Sequence, residues 1–228
     1  DPQGDAPERR EMTLGAQLAR AHQGISCAHQ EEELRIVTDA IVGLRLPGPV
    51  IELGAYKGGS TAKLSLACQS AGRRLYVCDT FTGLPDPGLD ATHHFYSGRV
   101  KTYRAGDYAG TLGEVEANVN EYGALDACVF VPGLFADTLP HLDVTPALVF
   151  MDVDLVASAR TALQYLWLRL QEGGLWFTHE AGVRTFIHGI LDPAWWHTVM
   201  GQCPPLLIGA GTGFGPEAAN LAYFERRA

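Results

Sequence analysis

Five short apolar runs alternate with segments of helical pattern between residues 50 and 177, and this alternation constrains the fold more than any other feature. The runs are Val50–Leu53, Leu75–Cys78, Ala127–Val131, Ala147–Met151 and Leu175–Phe177. Apolar residues at helical spacing fill Thr61–Ala71 and Ala157–Leu170. Strands that alternate with helices form βαβ units, which build a parallel sheet. We therefore predict a Rossmann-like α/β fold with helices on both faces of the sheet.

The two ends of the chain extend this arrangement. Leu206–Ile208 and Leu221–Phe224 surround a glycine-rich turn and predict an antiparallel C-terminal edge, which brings the mostly parallel sheet to seven strands. Apolar residues at helical spacing from Met12 to Leu46 predict N-terminal helices. We assign residues 1–46 to an N-terminal arm and helical cap, with 1–11 as a loose arm. Residues 47–228 form the main domain.

Composition argues against several classes of protein. The 228 residues, 46% of them hydrophobic, suit one domain with a sizeable core. A net charge of −9 argues against a nucleic-acid partner, which needs a basic face. No apolar run reaches the roughly 20 residues that span a bilayer, so we expect no membrane partner. The five cysteines are widely spaced without a CxxC pair, which predicts reduced thiols and a cytoplasmic protein. A homo-oligomer stays open.

The first strand is followed by a glycine-rich turn in the stretch "VIELGAYKGGST", Val50–Thr61. Glycines let the backbone approach a ligand, and the N-terminus of the following helix offers free N–H groups. The spacing differs from the G-x-G-x-x-G of a dinucleotide site, which disfavours nicotinamide and flavin enzymes. Glu52 places a carboxylate where an ammonium group would be favoured. The alternative is a tight strand–helix turn without a ligand.

Asp79 ends the second strand, where a carboxylate can accept hydrogen bonds from a ribose diol. A helix cap is the alternative role for this residue. Adenosine together with an amino-acid ammonium group describes S-adenosylmethionine, which we predict as the donor. The patternless segment from Gly83 to about Gly110 predicts a functional loop over the strand ends.

Three ionisable residues follow the fourth and fifth strands. Asp152 ends one strand, and His179 and Glu180 end the next. Because the carboxyl ends of parallel strands meet at one edge, we expect these side chains to lie together. They could hold a cation, or His179 could act as a base while Glu180 is solvated. Asp154 most simply caps the helix that follows, with support of the site as the alternative.

Several longer stretches show a family resemblance when they are taken in order with the glycine turn. They are "CDTFTGLPDP" (Cys78–Pro87), "VPGLFADTLP" (Val131–Pro140) and "MDVDLVASARTALQYLWLRLQEGGLWFTHEAG" (Met151–Gly182). Through them the chain resembles the class I S-adenosylmethionine-dependent methyltransferases. More narrowly, it is similar to the TylF-type macrocin and mycinamicin sugar O-methyltransferases, a group that includes a novobiocin sugar O-methyltransferase.

The resemblance implies methyl transfer from S-adenosylmethionine to a hydroxyl of a small-molecule acceptor, of natural-product or sugar type. It implies donor contacts at Glu52, Gly54, Tyr56, Gly58, Ser60, Thr61, Asp79, Thr80, Gly133, Phe135 and Asp152. In the family, one aspartate and a later pair of aspartates hold a divalent cation, usually Mg²⁺. Here Asp152, His179 and Glu180 take those places as predicted metal ligands, and we expect Asp152 and His179 to be catalytic. An imidazole ligand shifts the preference toward Mn²⁺ or Fe²⁺.

Two other functions remain open on the sequence. One is a metal-independent methyltransferase that uses His179 as its base, with an oxygen or nitrogen acceptor. The other is a non-catalytic module that binds S-adenosylmethionine or a partner protein. The sequence does not identify the acceptor.

Overall fold

The computed structural model describes residues 12–227, so the predicted arm at residues 1–11 lies outside the described part. The helices are α1 (Leu14–Gly24), α2 (Glu31–Gly43), α3 (Gly59–Ser70), α4 (Leu112–Tyr122), α5 (Phe135–Thr138), α6 (Val156–Leu166), α7 (Arg184–Ile190) and α8 (Pro193–Trp195), which continues into the π-helical turn Trp196–Met200. The strands are β1 (Val50–Leu53), β2 (Leu75–Asp79), β3 (Thr92–His94), β4 (Val100–Thr102), β5 (Cys128–Pro132), β6 (Leu148–Met151), β7 (Leu175–Thr178) and β8 (Ala222–Glu225).

Six of these strands form the main sheet, in the order β5-β2-β1-β6-β7-β8. All pairs are parallel except β7 with β8, which confirms the mostly parallel Rossmann-like sheet with an antiparallel C-terminal edge. The predicted seventh strand is reduced to an isolated bridge between Ile208 and Tyr223. Pro204 and Pro205 precede this segment and Gly209 follows it at φ 91°, so too few residues remain to extend the pairing.

Helices cover both faces of the sheet, as predicted. Every residue of β1 and β6 is buried, which is typical of parallel strands covered on both sides. In β1, Ile51 and Leu53 pack in the core with α6 and α7, whereas Val50 packs in the core with α2 and α3. Glu52 shares the second face with Val50, because alternate residues of a strand project to the same side.

The N-terminal helical pattern forms α1 and α2, which both pack against α3. Their apolar residues, including Ala21, Leu34 and Ile41, belong to the same core as β1 and β6. A non-helical segment, residues 25–30, separates the two helices. This break carries Cys27 and His29 to the carboxyl edge of the sheet.

The long loop contains a small antiparallel hairpin of β3 and β4, with His93 opposite Lys101. Asp90 fastens the hairpin to the main domain: one carboxylate oxygen lies 2.9 Å from His93 Nε2, and the other accepts a hydrogen bond from Ala157 N at 3.1 Å. Asp90 therefore occupies the start of α6, where the sequence predicted Asp154 as the cap. Asp154 instead adopts a left-handed backbone, at φ 60°.

Candidate functional site

A cleft of about 370 Å³ opens at the carboxyl ends of β1 and β6. The strand order reverses there, because β1 pairs with β2 on one side and with β6 on the other. Ligands of open α/β sheets bind at this kind of reversal point. The β3–β4 hairpin, the break between α1 and α2, and the starts of α5 and α6 supply further walls.

The glycine turn brings the backbone of β1 against that of β6. Gly54 has φ 92°, and a Cβ at this position would lie 2.0 Å from the carbonyl oxygen of Asp152. Only glycine fits this approach, because a side chain would collide with the neighbouring backbone. The turn therefore sets the distance between the predicted donor site and the Asp152 region.

The predicted donor contacts divide into two groups. Seven of them line the cleft: Gly54, Tyr56, Ser60, Asp79, Thr80, Phe135 and Asp152. Four others do not line it: Glu52, Gly58, Thr61 and Gly133. Glu52 faces away because its side chain projects toward α3, beneath the turn. The glycine Gly58 serves as the left-handed N-cap of α3, at φ 83°.

Asp79 holds the glycine turn in place. One of its carboxylate oxygens accepts a hydrogen bond from Ala55 N at 2.6 Å, and the other accepts one from Phe81 N at 2.7 Å. Each oxygen has a second lone pair, and the residue lines the cleft. The carboxylate can therefore support the turn and accept hydrogen bonds from a ribose at the same time.

We predict that Asp79→Ala weakens S-adenosylmethionine binding by about 10- to 150-fold, since charge-assisted hydrogen bonds contribute roughly 1.5–3 kcal/mol. Calorimetric titration measures the affinity, and thermal unfolding of the ligand-free variant measures the loss of the turn. Asp86→Ala is the matched control, because Asp86 accepts from Gly88 N in the same loop but does not line the cleft. Equal affinities for wild type and Asp79→Ala would remove Asp79 from the donor site.

Glu52 is a fully buried carboxylate in the centre of the sheet. Neither of its oxygens has a well-formed hydrogen bond, although the hydroxyls of Ser60 and Thr61 lie close to it. Burial raises the pKa of Glu52 to about 7, and these hydroxyls only partly oppose the shift. The folded protein therefore retains a proton on Glu52 that the unfolded chain releases near pH 4.5.

This difference predicts a pH-dependent stability. The folded state binds the proton more tightly, so the free energy of unfolding falls as pH rises from about 4.5 to about 7, by roughly 3 kcal/mol. Glu52→Gln should remove this pH dependence. The free energy of unfolding of the variant, taken relative to that of wild type, should therefore increase as pH rises from about 4.5 to about 7. Urea unfolding at pH 5, 6, 7 and 8 measures it. Parallel stability curves for the two proteins would contradict the assignment.

Two histidines and an aspartate meet at the base of the cleft. Their ligand atoms, from His29, Asp152 and His179, all lie within 4.8 Å of one another. His29 Nε2 is 3.0 Å from one oxygen of Asp152, and His179 Nδ1 is 3.6 Å from the other. His29 Nε2 is buried and has no well-aligned hydrogen bond, and the His179 contact is too long for one. His29 Nε2 and His179 Nδ1 thus both face the Asp152 carboxylate.

The outer nitrogens of the two rings are held by other side chains. His179 Nε2 lies 2.7 Å from Glu33 Oε2, and His29 Nδ1 lies 3.0 Å from Cys27 Sγ. Glu33 is fully buried and also accepts from the backbone N–H of Asn220 at 3.1 Å. A carboxylate that accepts from the outer nitrogen of a histidine is typical of metal ligands, because it fixes the ring and its tautomer.

Glu180, predicted as the third metal ligand, lies outside this group. One of its oxygens accepts from Val153 N at 2.8 Å and Asp154 N at 3.1 Å, and the other accepts from the Thr178 hydroxyl. These bonds turn the carboxylate toward the backbone after β6. Burial and the charge of Asp152 raise the pKa of Glu180 to about 8. His29, rather than Glu180, completes the geometric cluster with Asp152 and His179.

The charges around His179 bear on its predicted role as a metal-free base. Burial lowers the pKa of His179, but the carboxylates of Asp152 and Glu33 outweigh burial and hold this pKa well above 6.5. Without a cation the ring is therefore protonated near neutral pH, and an imidazolium has no lone pair to accept a proton. The charges around His179 therefore count against a role as a metal-free base.

Asp154 is a second carboxylate in the cleft, next to Asp152. Burial and the charge of Asp152 raise the pKa of Asp154 to about 6, and contact with Tyr103 only partly opposes this. The left-handed backbone of Asp154 is uncommon for a residue other than glycine and is typical of functional sites. The pKa of the Asp154 carboxyl group therefore lies closer to neutral pH than that of an ordinary aspartate.

Sequence analysis missed His29 and Glu33. Both precede the first strand, and no spacing links them to the motifs at the strand ends. Glu33 belongs to a run of three glutamates in the first turn of α2, which by itself indicates a solvated helix start. Its burial beneath His179 was the missing information. The interruption of the helical pattern before residue 31 was the one local feature that could have pointed to His29.

The chain is similar in sequence to known O-methyltransferases. The model of the macrocin-O-methyltransferase (TylF) family matches residues 5–188. The 8-demethyl-8-(2,3-dimethoxy-alpha-L-rhamnosyl)-tetracenomycin-C 4'-O-methyltransferase of Streptomyces olivaceus is 32% identical over 177 residues, which are 71% of this chain and 67% of that protein. The demethyldecarbamoylnovobiocin O-methyltransferase of Streptomyces niveus is 34% identical over 164 residues, 68% of this chain and 61% of that protein.

The fold comparison agrees with the sequence comparison. The solved structure of the O-methyltransferase NovP superimposes with a TM-score of 0.66 at 22% identity, covering 93% of this chain and 88% of NovP. Among residues 12–227, no helix has both the length and the apolar character needed to cross a membrane.

Proposed function

The chain belongs to the macrocin-O-methyltransferase (TylF) family of S-adenosylmethionine-dependent methyltransferases, and on that premise we propose that it methylates a sugar hydroxyl of a small natural product. The observation that carries the proposal is the single cleft that joins Asp79 and the glycine turn to the cluster of His29, Asp152 and His179. A donor site and a site for an acceptor oxygen thus adjoin each other.

The sugar acceptor is proposed from the relatives. The two named relatives are O-methyltransferases of tetracenomycin and novobiocin compounds, and the first carries out a 4'-O-methylation on a rhamnosyl-substituted substrate. A cleft of about 370 Å³ suits a small-molecule ligand. Phe95, Tyr103 and Tyr108 add aromatic surface to its wall.

We include a divalent cation in the proposal because the cluster fits one. His29 Nε2 and His179 Nδ1 would bind it together with Asp152, while Glu33 and Cys27 hold the outer nitrogens of the two rings. A cation bound there would lower the pKa of an acceptor hydroxyl. Two imidazoles and one carboxylate suit Mn²⁺, Fe²⁺, Co²⁺ or Zn²⁺ better than Mg²⁺, which prefers oxygen ligands.

The protein contributes orientation and a base. The cleft walls hold the donor and acceptor in one orientation, and such positioning can contribute about 7–11 kcal/mol to the rate. Asp154 accepts the proton of the acceptor hydroxyl as the methyl group is transferred. Asp79 and the glycine turn keep the donor in place, and the β3–β4 hairpin limits the access of water.

Metal analysis and methyl-transfer assays test the proposal together. The purified protein should contain a divalent transition metal, lose turnover on a panel of glycosylated acceptors after exhaustive chelation, and regain it with Mn²⁺ or Fe²⁺ in preference to Mg²⁺. His179→Asp should keep activity and shift the preference toward Mg²⁺. Full activity after chelation would support the methyltransferase function but reject a role for the cation. Absence of turnover with every acceptor, despite donor binding, would favour the non-catalytic module.

A further inference from the structure

Two cationic side chains line the cleft from the hairpin. Arg99 directly precedes β4, and Lys101 lies within it. Alternate residues of an extended chain project to the same face, and Tyr103, the next in this alternation, also lines the cleft. Phe95, which directly follows the opposing strand β3, lines it as well. One face of the hairpin therefore presents two positive charges and aromatic rings to the bound ligands.

Neither cation is neutralised by an ion pair in residues 12–227. The Arg99 guanidinium lies 3.9 Å from the centroid of the Phe95 ring. Lys101 Nζ contacts the Tyr108 hydroxyl and lies 4.5 Å and 4.6 Å from the centroids of the Tyr103 and Tyr108 rings. Basic residues that do pair with carboxylates lie elsewhere: Arg35, Lys57, Arg160 and Arg227.

The negative charge of the rest of the protein makes the two cations relevant to the charge of the ligand. The chain has a net charge of −9, and Asp79, Asp152 and Asp154 line the same cleft. This surface would repel an anionic ligand unless positive charge stood where the anion binds. Lys101 and Asp154 both line the cleft, but no ion pair joins them within residues 12–227. The two cations thus retain charge for a ligand.

We propose that Arg99 and Lys101 bind a phosphate or diphosphate group on the acceptor, as carried by a nucleotide-linked sugar. The inference rests on the proposed sugar O-methyltransfer and specifies its substrate class. An arginine guanidinium matches two phosphate oxygens in a bidentate arrangement, and a lysine ammonium adds a compact charge. The Arg99 side chain contacts the Phe95 ring and the Lys101 side chain contacts the Tyr103 and Tyr108 rings, and both cations line the cleft. The acceptor would be methylated while its sugar is still activated, before a glycosyl-transfer reaction consumes it.

Binding of inorganic pyrophosphate to the protein saturated with S-adenosylhomocysteine tests the site directly. Calorimetry should show saturable binding that weakens as salt is added. Arg99→Gln and Lys101→Met should each reduce the affinity roughly 10-fold or more, whereas Lys101→Arg should retain it. Arg104→Gln is the matched control, since Arg104 follows the same strand but does not line the cleft. Thermal unfolding identifies a variant that loses the hairpin.

The donor has a carboxylate of its own, so its affinity is measured on the same variants. An unchanged affinity for S-adenosylhomocysteine supports an acceptor site. An affinity that falls in parallel with that for pyrophosphate assigns the cations to the donor and overturns the inference, as does absence of pyrophosphate binding. Turnover of a nucleoside-diphosphate sugar is then compared with that of the neutral methyl glycoside of the same sugar. Preference for the neutral glycoside rejects the inference alone, whereas no turnover of either rejects the proposed function.

Discussion

Asp152→Ala is expected to abolish binding of the proposed cation and to lower the methyl-transfer rate at least about 100-fold. The carboxylate lies between the two histidines and contributes the single oxygen of the candidate metal cluster. Without it, His29 and His179 face each other with ring centroids 4.2 Å apart and no intervening negative charge. Metal content by plasma emission and the single-turnover rate measure the two losses.

The backbone contact between Gly54 and Asp152 should survive the substitution, so the loss of metal and rate can be distinguished from a general disruption of the site. Gly54 meets the carbonyl oxygen of Asp152, which the substitution leaves in place. Donor affinity should therefore fall less than turnover does. Asp143→Ala, at an exposed aspartate before β6, is the matched control and should behave as wild type. A fully metallated, active Asp152→Ala protein would exclude the cluster from catalysis.

Asp154→Asn is expected to reduce turnover by roughly 10²- to 10⁴-fold, which is the usual contribution of a positioned general base. The amide keeps the size of the side chain but cannot accept the proton of the acceptor hydroxyl. Metal content should stay unchanged, because Asp154 is not one of the three clustered ligands. Rapid-quench measurement of the chemical step distinguishes lost catalysis from slow product release.

Asp137→Asn provides the same chemical change at an exposed position outside the cleft and should leave the rate unchanged. The two substitutions therefore give different signatures: Asp152→Ala loses metal and rate, whereas Asp154→Asn loses rate alone. Loss of the metal from Asp154→Asn would assign Asp154 to the cation site instead. An unchanged rate of the chemical step in Asp154→Asn would show that another group accepts the proton of the hydroxyl.

Most of the fold follows from local pattern in the sequence. The five apolar runs became β1, β2, β5, β6 and β7, with ends that differ by at most one residue from those predicted. Such runs are easy to locate because both faces of a parallel strand are buried. The β3–β4 hairpin was not predicted, since its three-residue strands are mostly exposed and lack an apolar pattern.

The site was only partly predictable, for a different physical reason. Residues at strand ends, such as Asp79, Asp152 and His179, are placed by the sheet itself, so spacing along the chain locates them. His29 and the outer carboxylate Glu33 come from the packing of separate helices, which leaves no fixed spacing. The orientation of Glu180 depends on backbone N–H groups after β6, and these become visible only in three dimensions.

The hydrogen bonds of Glu33 also have a consequence for the order of assembly during synthesis. This residue joins His179 and Asn220, which follow it by 146 and 187 positions. A ribosome adds residues at about 5–20 per second, so the buried carboxylate waits roughly ten seconds or more for its last partner. Until then the nascent chain contains the glycine turn and Asp79, but Glu33 lacks part of its hydrogen bonding. Glu33 thus gains its full set of partners only after synthesis has passed Asn220, and a chain that ends before this residue lacks the hydrogen bonds from Asn220 to the Glu33 carboxylate.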